Sequence, residues 1–423
     1  MLRGILWGLL SICVGLYLGT VVLLLGHDHI QLPAETSSAL SYKASQEVSG
    51  KLLPILLELV SLPSFRFFRV NVNKPCLFFN GENVCTKKSN CELNCPCARD
   101  ELPPSFLEED RRFIENNRFS NYHLFEFVKP FEDEGLKHDW SFDSPSEGDI
   151  YADLIVDKEQ FTDYQGQNIW NAIYNENCVN FYRQCNNNTM MFRVVSGMHT
   201  SVSSHLSEYF IDYSRNLTSP NHELYFEKVG RFPDRIANLH FAWEILVRAF
   251  IRYHDVISAT SIKTHDLTVD LRTQNLIRSL YGALEHVGDT HFSLKELFGP
   301  EDSTAKTETA FLNYFQNITR IMDCVDCKKC KVYGKMQILG LGVAIRILLN
   351  PDERKLTRNE LVALVNTLAK WTESLRVLET MKKRILEDNL DKTWFVSAVF
   401  AMVTLALLFL LSWDFRLKRE KLD

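Results

Sequence analysis

Apolar residues fall at helical spacing over most of the second half of the chain. In "MMFRVVSGMHTSVSSHLSEYFIDY" they recur every three or four positions from Met191 to Phe210, which predicts an amphipathic helix. "RIANLHFAWEILVRAFIRYHDVI" is apolar around most of its circumference and predicts a buried core helix. "TAFLNYFQNITRIM" predicts a helix leading directly towards Cys324, and "KMQILGLGVAIRILLN" continues one that begins at the cysteines just beyond. "LTRNELVALVNTLAKWTESLRVLETMKKRIL" opens on Thr357 and Glu360, spaced so that each side chain can satisfy the other's backbone N–H. Hairpin turn signals and sustained two-residue alternation are scarce. The stretch "CLFFNGENVCTKKSNCELNCPCARDELPPSF" has no periodicity and reads as loop. The expected architecture is mainly α: one helical-bundle domain with a Cys-rich loop collar.

The ends carry a different pattern. An apolar run from Gly4 to Gly26 follows a single Arg3, and at roughly 20 residues it is long enough to span a bilayer. No small-residue cleavage site closes it, so an uncleaved signal anchor is expected, with a cleaved signal peptide as the alternative. "TWFVSAVFAMVTLALLFLLSW", Thr393 to Trp413, is uncharged and bracketed by Trp394 and Trp413, which suits one transmembrane helix with interfacial anchors. Arg416, Lys418, Arg419 and Lys421 follow it and place the C-terminus in the cytosol. The organisation expected is a signal anchor over 1–26, a polar tether over 27–50 and a lumenal domain over 51–388. A Cys-rich loop at 75–105 and a core at 151–350 lie inside that domain. A membrane helix at 393–413 and a cytosolic tail at 414–423 complete the chain, which is expected to be integral to the membrane and a monomer.

Composition changes this picture little. Of the 423 residues 46% are hydrophobic and 24% charged, as in a packed protein, and the formal net charge of −6 gives no basic footprint for nucleic acid. Asn187, Asn216 and Asn317 head glycosylation acceptor triplets, which agrees with a lumenal body. Of the 11 cysteines, Cys13 lies in the first apolar run. Cys76, Cys85, Cys91, Cys95, Cys97, Cys178, Cys185, Cys324, Cys327 and Cys330 remain, an even set for an oxidising compartment.

"CVDCKKCKVYGK" concentrates the chemistry. Its three cysteines could bind zinc with Cys95 or Cys97 as fourth ligand, but zinc knuckles are usually small and β-rich, whereas this triplet starts a helix. As staples they close tiny loops, which constrain the unfolded chain little. A redox pair accounts for the spacing best. A sulfur at a helix N-terminus meets unpaired N–H groups and the positive end of the dipole, and Lys328, Lys329 and Lys331 add charge. Cys327 and Cys330 are then the pair, with Cys324 bonded elsewhere. A dithiol that keeps gaining electrons needs an outlet, and a flavin offers one to oxygen. "GLGVAI" lacks the third glycine and the preceding strand of a dinucleotide fingerprint and is set aside. Ser196 and His199 share a helix face, Arg235 and Arg248 share another helix, and Trp170 offers a stacking surface. "EHVGDTHF" lacks zincin spacing and reads as solvated loop, so no metal site is expected.

"CVDCKKCKVYGKMQILGLGVAIRILL" resembles the cysteine-triplet signature of the endoplasmic reticulum oxidoreductin thiol oxidases, with one extra residue before the aromatic. "IYADLIVDKEQFTDYQGQNIWNAIYNENC", "RVVSGMHTSVSSHL" and "RIANLHFAWEILVRAF" match further blocks in the same order, over roughly Pro75 to Asn350. The resemblance implies a mostly helical FAD enzyme that oxidises protein disulfide isomerase and passes electrons to molecular oxygen, making hydrogen peroxide. It implies Cys327 and Cys330 beside the flavin, a Cys76–Cys324 bridge and a Cys178–Cys185 bridge. The flavin contacts it implies are Thr162, Trp170, Ser196, His199, Arg235 and Arg248, with Gln160 standing where the family has arginine. Its shuttle pair falls on Cys85 and Cys91, here with five residues between them rather than four, and Cys95 or Cys97 is a rival relay. The alternative from another class is a non-enzymatic, membrane-tethered, disulfide-stapled binding module.

Overall fold

The computed structural model describes residues 8, 11–12, 14–20, 42–74, 149–159, 169–170, 172–174, 177, 189–212, 217–259, 264, 266–287, 304–325, 327–349 and 356–419. The chain divides into two compact units, Leu32–Leu378 and a smaller one made of Met1–Gln31 with Glu379–Asp423.

The larger unit is mostly helical. It runs α1 (Tyr42–Ser61), α2 (Pro63–Arg66), β1 (Phe67–Val70), β2 (Ile150–Asp153), α3 (Thr189–Glu208), β3 (Ile211–Asp212) and β4 (Leu217–Thr218). Then come α4 (His222–Tyr225), a π-helical turn Phe226–Gly230, α5 (Pro233–Arg252), α6 (His254–Ala259) and α7 (Leu267–Leu284). A 3-10 turn Glu285–Val287, α8 (Thr304–Met322), α9 (Lys328–Leu349) and the part up to Leu378 of α10 (Arg358–Arg419) close the order. The helix α1 starts inside the segment expected as a tether. Ser45 and Ser49 of its first turns are buried, because Leu52, Leu56 and Leu59 continue their face into the core.

Helix α3 packs along α5, α5 against α9, and α8 against α9. Only glycine permits the first of these approaches and one of α9 to α10. A Cβ at Gly197 of α3 would lie 2.5 Å from the Asn238 carbonyl oxygen of α5, and one at Gly340 of α9 would lie 2.6 Å from the Ala363 carbonyl oxygen of α10. "GLGVAI" is thus a packing seam inside a helix and not a phosphate loop. The capping box forms as the spacing predicts: Thr357 N–H donates to Glu360 Oε2 at 2.8 Å, and Glu360 N–H donates to Thr357 Oγ1 at 3.2 Å. Two short antiparallel ladders, β1 with β2 (Phe67 opposite Asp153, Val70 opposite Ile150) and β3 with β4, have no counterpart in the predicted elements.

Helix α9 is apolar enough to cross a membrane, yet it is wholly buried inside the protein. Two of its polar residues are anchored: Arg346 Nη1 donates to Glu360 Oε1 at 2.7 Å, and Gln337 Oε1 accepts from Trp371 Nε1 at 2.9 Å. Within the smaller unit, Trp394, Phe395, Met402, Leu405, Phe409 and Trp413 of α10 are all exposed. There the Tyr17 hydroxyl lies 2.9 Å from Ser397 Oγ, and its ring stacks on Phe400 at 4.4 Å.

Candidate active site

Helix α8 ends at Met322, and a short turn through Asp323 and Cys324 delivers Cys327 to the start of α9. Cys327 caps that helix. Its Sγ accepts the Cys330 N–H at 3.1 Å, and its carbonyl accepts the Lys331 N–H at 2.9 Å. A helix start leaves N–H groups without intrahelical partners, so a sulfur seated there faces partial positive charge. The two sulfurs are joined as a Cys327–Cys330 disulfide, with Cα atoms 5.2 Å apart. Neither is therefore a zinc thiolate here, and among the described residues no three metal-ligating side chains gather. Cys324 is also disulfide-bonded.

The pair is deeply placed, with Cys327 1% and Cys330 0% exposed. Attack on a disulfide is a collinear displacement at sulfur, so burial this deep limits access to the pair. Lys331, expected to add charge at the pair, donates from Nζ to the Val72 carbonyl at 3.1 Å. Lys335 pairs with Asp323 and also donates to the Asn71 carbonyl at 3.5 Å. Both lysines thereby hold the strand end that leads from β1 into residues 71–74.

A second cluster lies between α3, α5 and the helical residues 169–174. The Trp170 and His199 rings stack at 4.0 Å with planes 15° apart, and the Tyr174 hydroxyl lies 3.3 Å from His199 Nδ1. All three are buried. Burial first, then the charges of Arg235 and Lys228, hold His199 well below the ordinary histidine range, so its ring is neutral. Ser196 Oγ, one turn away, accepts from Asn238 Nδ2 at 3.1 Å. Arg193 on the same helix lies 3.5 Å over the Phe241 ring, and burial pushes its pKa down to about 10. Arg235 Nη1 donates to the Lys228 carbonyl at 2.7 Å, whereas Arg248 is engaged by Glu244, Nε to Oε1 at 2.7 Å. At about 1.5 Å of rise per residue, those two arginines lie roughly 20 Å apart along α5.

The structure thus gathers Trp170, Ser196, His199 and Arg235 and sets Arg248 at the far end of the same helix. Both this cluster and the Cys327–Cys330 pair belong to one contiguous core that includes Trp170, Met198, Cys327 and Cys330. Cys76, Cys85, Cys91, Cys95, Cys97, Gln160, Thr162, Cys178, Cys185, Asn187 and Asn216 lie outside the described residues. Tyr174, Arg193, Lys228 and Asn238 join the cluster without having been expected. Asn238 stands three positions after Arg235, a spacing that could have found it; the π-helical turn carrying the buried Lys228 leaves no pattern in the sequence. Asn317, expected as a glycan acceptor, lies within α8 with its Nδ2 donated to Asn177 Oδ1 at 3.0 Å, and Thr319 of its triplet is buried.

The family model described as Endoplasmic Reticulum Oxidoreductin 1 (ERO1) matches residues 51–378, more than half of the chain, and the protein belongs to that family. It is an endoplasmic reticulum thiol–disulfide oxidoreductase with a part in oxidative protein folding. The chain is 29% identical over 392 residues to endoplasmic reticulum oxidoreductin-1 of Arabidopsis thaliana, covering 83% of this chain and 81% of that one. It is 29% identical over 466 residues to ERO1-like protein alpha of Mus musculus, covering 89% and 98% respectively. A double cysteine-to-alanine mutant of S. cerevisiae Ero1p superposes with a TM-score of 0.63 at 24% identity, covering 83% of this chain and 99% of that one, which shows a shared fold.

Proposed function

We propose that the protein is an FAD-dependent thiol oxidase that makes disulfides by oxidising a protein disulfide isomerase in the lumen of the endoplasmic reticulum. The observation that carries this is the buried Cys327–Cys330 disulfide at the capped start of α9. The donor set suits a flavin nucleotide: a neutral histidine stacked on a tryptophan gives flat apolar surface, and Lys228, Arg235 and Arg193 concentrate positive charge beside it. Trp170 and His199 would hold rings, Ser196 would offer a hydroxyl, and Arg235 and Arg248 would meet the charged portion. Thr162 and Gln160 complete the proposed contacts, with Gln160 offering an amide in place of a charge.

In the proposed route, one isomerase thiolate attacks Cys85–Cys91, forming a mixed disulfide and releasing one shuttle thiolate; the second isomerase thiolate then attacks the isomerase sulfur of that mixed disulfide, leaving the isomerase as disulfide and the shuttle as dithiol. The shuttle dithiol then reduces Cys327–Cys330 and returns to its own disulfide; Cys95 or Cys97 would serve if the relay runs through them. The Cys330 N–H and the helix start stabilise the sulfur that departs as thiolate, Cys327. FAD, when bound, supplies a two-electron acceptor that oxygen reoxidises with release of hydrogen peroxide. Bridges Cys76–Cys324 and Cys178–Cys185 are proposed as structural. The exposed apolar stretch of α10 is proposed to cross the membrane with the catalytic unit on the lumenal side, and Asn187 and Asn216 to carry glycans. The purified full-length protein is expected to be yellow, with flavin absorbance in stoichiometric amount; a colourless, correctly folded preparation would end this proposal.

A further inference from the structure

Asn317 does something other than carry sugar. Its Nδ2 donates to Asn177 Oδ1 at 3.0 Å, and Asn177 Nδ2 donates in turn to the Ile173 carbonyl at 2.7 Å. Asn177 is buried, so both of its polar ends are satisfied away from water. The polarity of this relay is fixed at its far end. A carbonyl can only accept, so Asn177 must turn its amino group to Ile173 and its oxygen to Asn317, and Asn317 must donate. Ile173 lies between the two residues that contact His199: Trp170, stacked on its ring at 4.0 Å, and Tyr174, whose hydroxyl is 3.3 Å from Nδ1. The other end of the relay stands on α8, whose C-terminus runs into the Cys324 turn and the Cys327 cap.

We propose that Asn317 is a positioning residue that ties the helix leading to the redox disulfide to the Trp170–Tyr174 segment, and that it is not glycosylated. Two observations weigh against the glycan. A sugar on Nδ2 would replace one of its two hydrogens and add bulk beside Asn177, to which that nitrogen donates at 3.0 Å. The hydroxyl residue of the triplet, Thr319, is buried, on the turn of α8 where Ile318, Ile321 and Met322 also face inward. The link between positioning and cofactor rests on the flavin reading above; the link between Asn317 and the 169–177 segment does not.

Two variants of the full-length protein separate these roles, because both destroy the acceptor triplet and only one touches the relay. Asn317→Asp replaces the donor with an acceptor, and no rotation of Asn177 can satisfy both neighbours. Thr319→Val keeps the amide and nearly the same volume. Amide hydrogen exchange in a peptide covering 169–177 is expected to quicken about tenfold or more in Asn317→Asp, from loss of a buried hydrogen bond, and to stay unchanged in Thr319→Val. Glycosidase treatment of the wild type is expected to leave a peptide spanning Asn317 at its unmodified mass. The visible flavin band is expected to shift or weaken in Asn317→Asp alone, with Asn317→Gln, which keeps the donor, recovering part of it. Unchanged exchange in Asn317→Asp, or a glycan found on Asn317, overturns the proposal. A wild type without flavin defeats only the cofactor reading, since the exchange and mass results still decide the relay.

Discussion

Among the described residues two helices are long and apolar enough to cross a bilayer, and they have opposite fates. Helix α9 is enclosed on every side, whereas the stretch of α10 around Leu405 presents Trp394, Phe395, Met402 and Phe409 outward. Hydropathy treats them alike. What separates them is what their polar residues do. Helix α9 carries Lys331, Lys335, Gln337 and Arg346, each matched to a named group at a fixed place in the fold. Residues 393–413 contain no ionisable side chain at all. An apolar helix with charges needs a protein around it to pair them; one without needs only lipid.

The comparison can be broken most forcefully at Lys335. Replacing it with Met leaves the buried Asp323 carboxylate without its ion-pair partner, at a cost of about 3–5 kcal/mol, read as a fall in denaturant midpoint. In the other helix, Leu405→Arg puts a charge at the centre of the apolar stretch and is expected to cost about 2.5–3.5 kcal/mol of membrane insertion. Alkaline carbonate extraction should then release part of the protein, while the isolated oxidoreductase activity is retained.

Acid should destabilise the larger unit. His240 of α5 is buried against Ser45, Nδ1 to Oγ at 3.0 Å, and burial pushes its pKa down to about 4 from the ordinary 6.5. As pH falls below about 6.5 the unfolded chain takes up this proton and the folded one does not, so stability is lost down to about pH 4. His199 and His205, held well below the ordinary range chiefly by burial, act in the same direction. His240→Gln is expected to remove about 1.4 kcal/mol per pH unit from the slope of stability against pH over that window, measured by urea unfolding. The smallest effect expected is that of Thr372→Val. It strands the Trp243 indole N–H, now 3.0 Å from Thr372 Oγ1, and should cost about 1–3 kcal/mol with no change in membrane attachment.

Much of this was legible in the sequence because it is local. The periodicity of α3 and α5, the capping box at Thr357 and the cysteine at the start of α9 each depend on residues within one or two turns of one another. The aromatic stack was legible only as separate parts: Trp170 and His199 lie on different elements and meet only when these pack together, and no local pattern encodes that approach. The β1–β2 pairing joins residues far apart in the chain, and each strand is only four residues long, too short for alternation to register. The contact of Lys331 was not legible for a related reason: a long side chain goes where a buried carbonyl needs a donor, and Val72 provides it.

The account turns on Cys327 and Cys330 alternating between disulfide and dithiol inside a closed core. Oxygen uptake by the purified protein, driven by a reduced protein dithiol and compared between wild type and Cys330→Ala, tests this most directly. The account predicts that uptake in the variant falls to the uncatalysed background while its helical content is kept. Uptake continuing at the wild-type rate without that sulfur would contradict it.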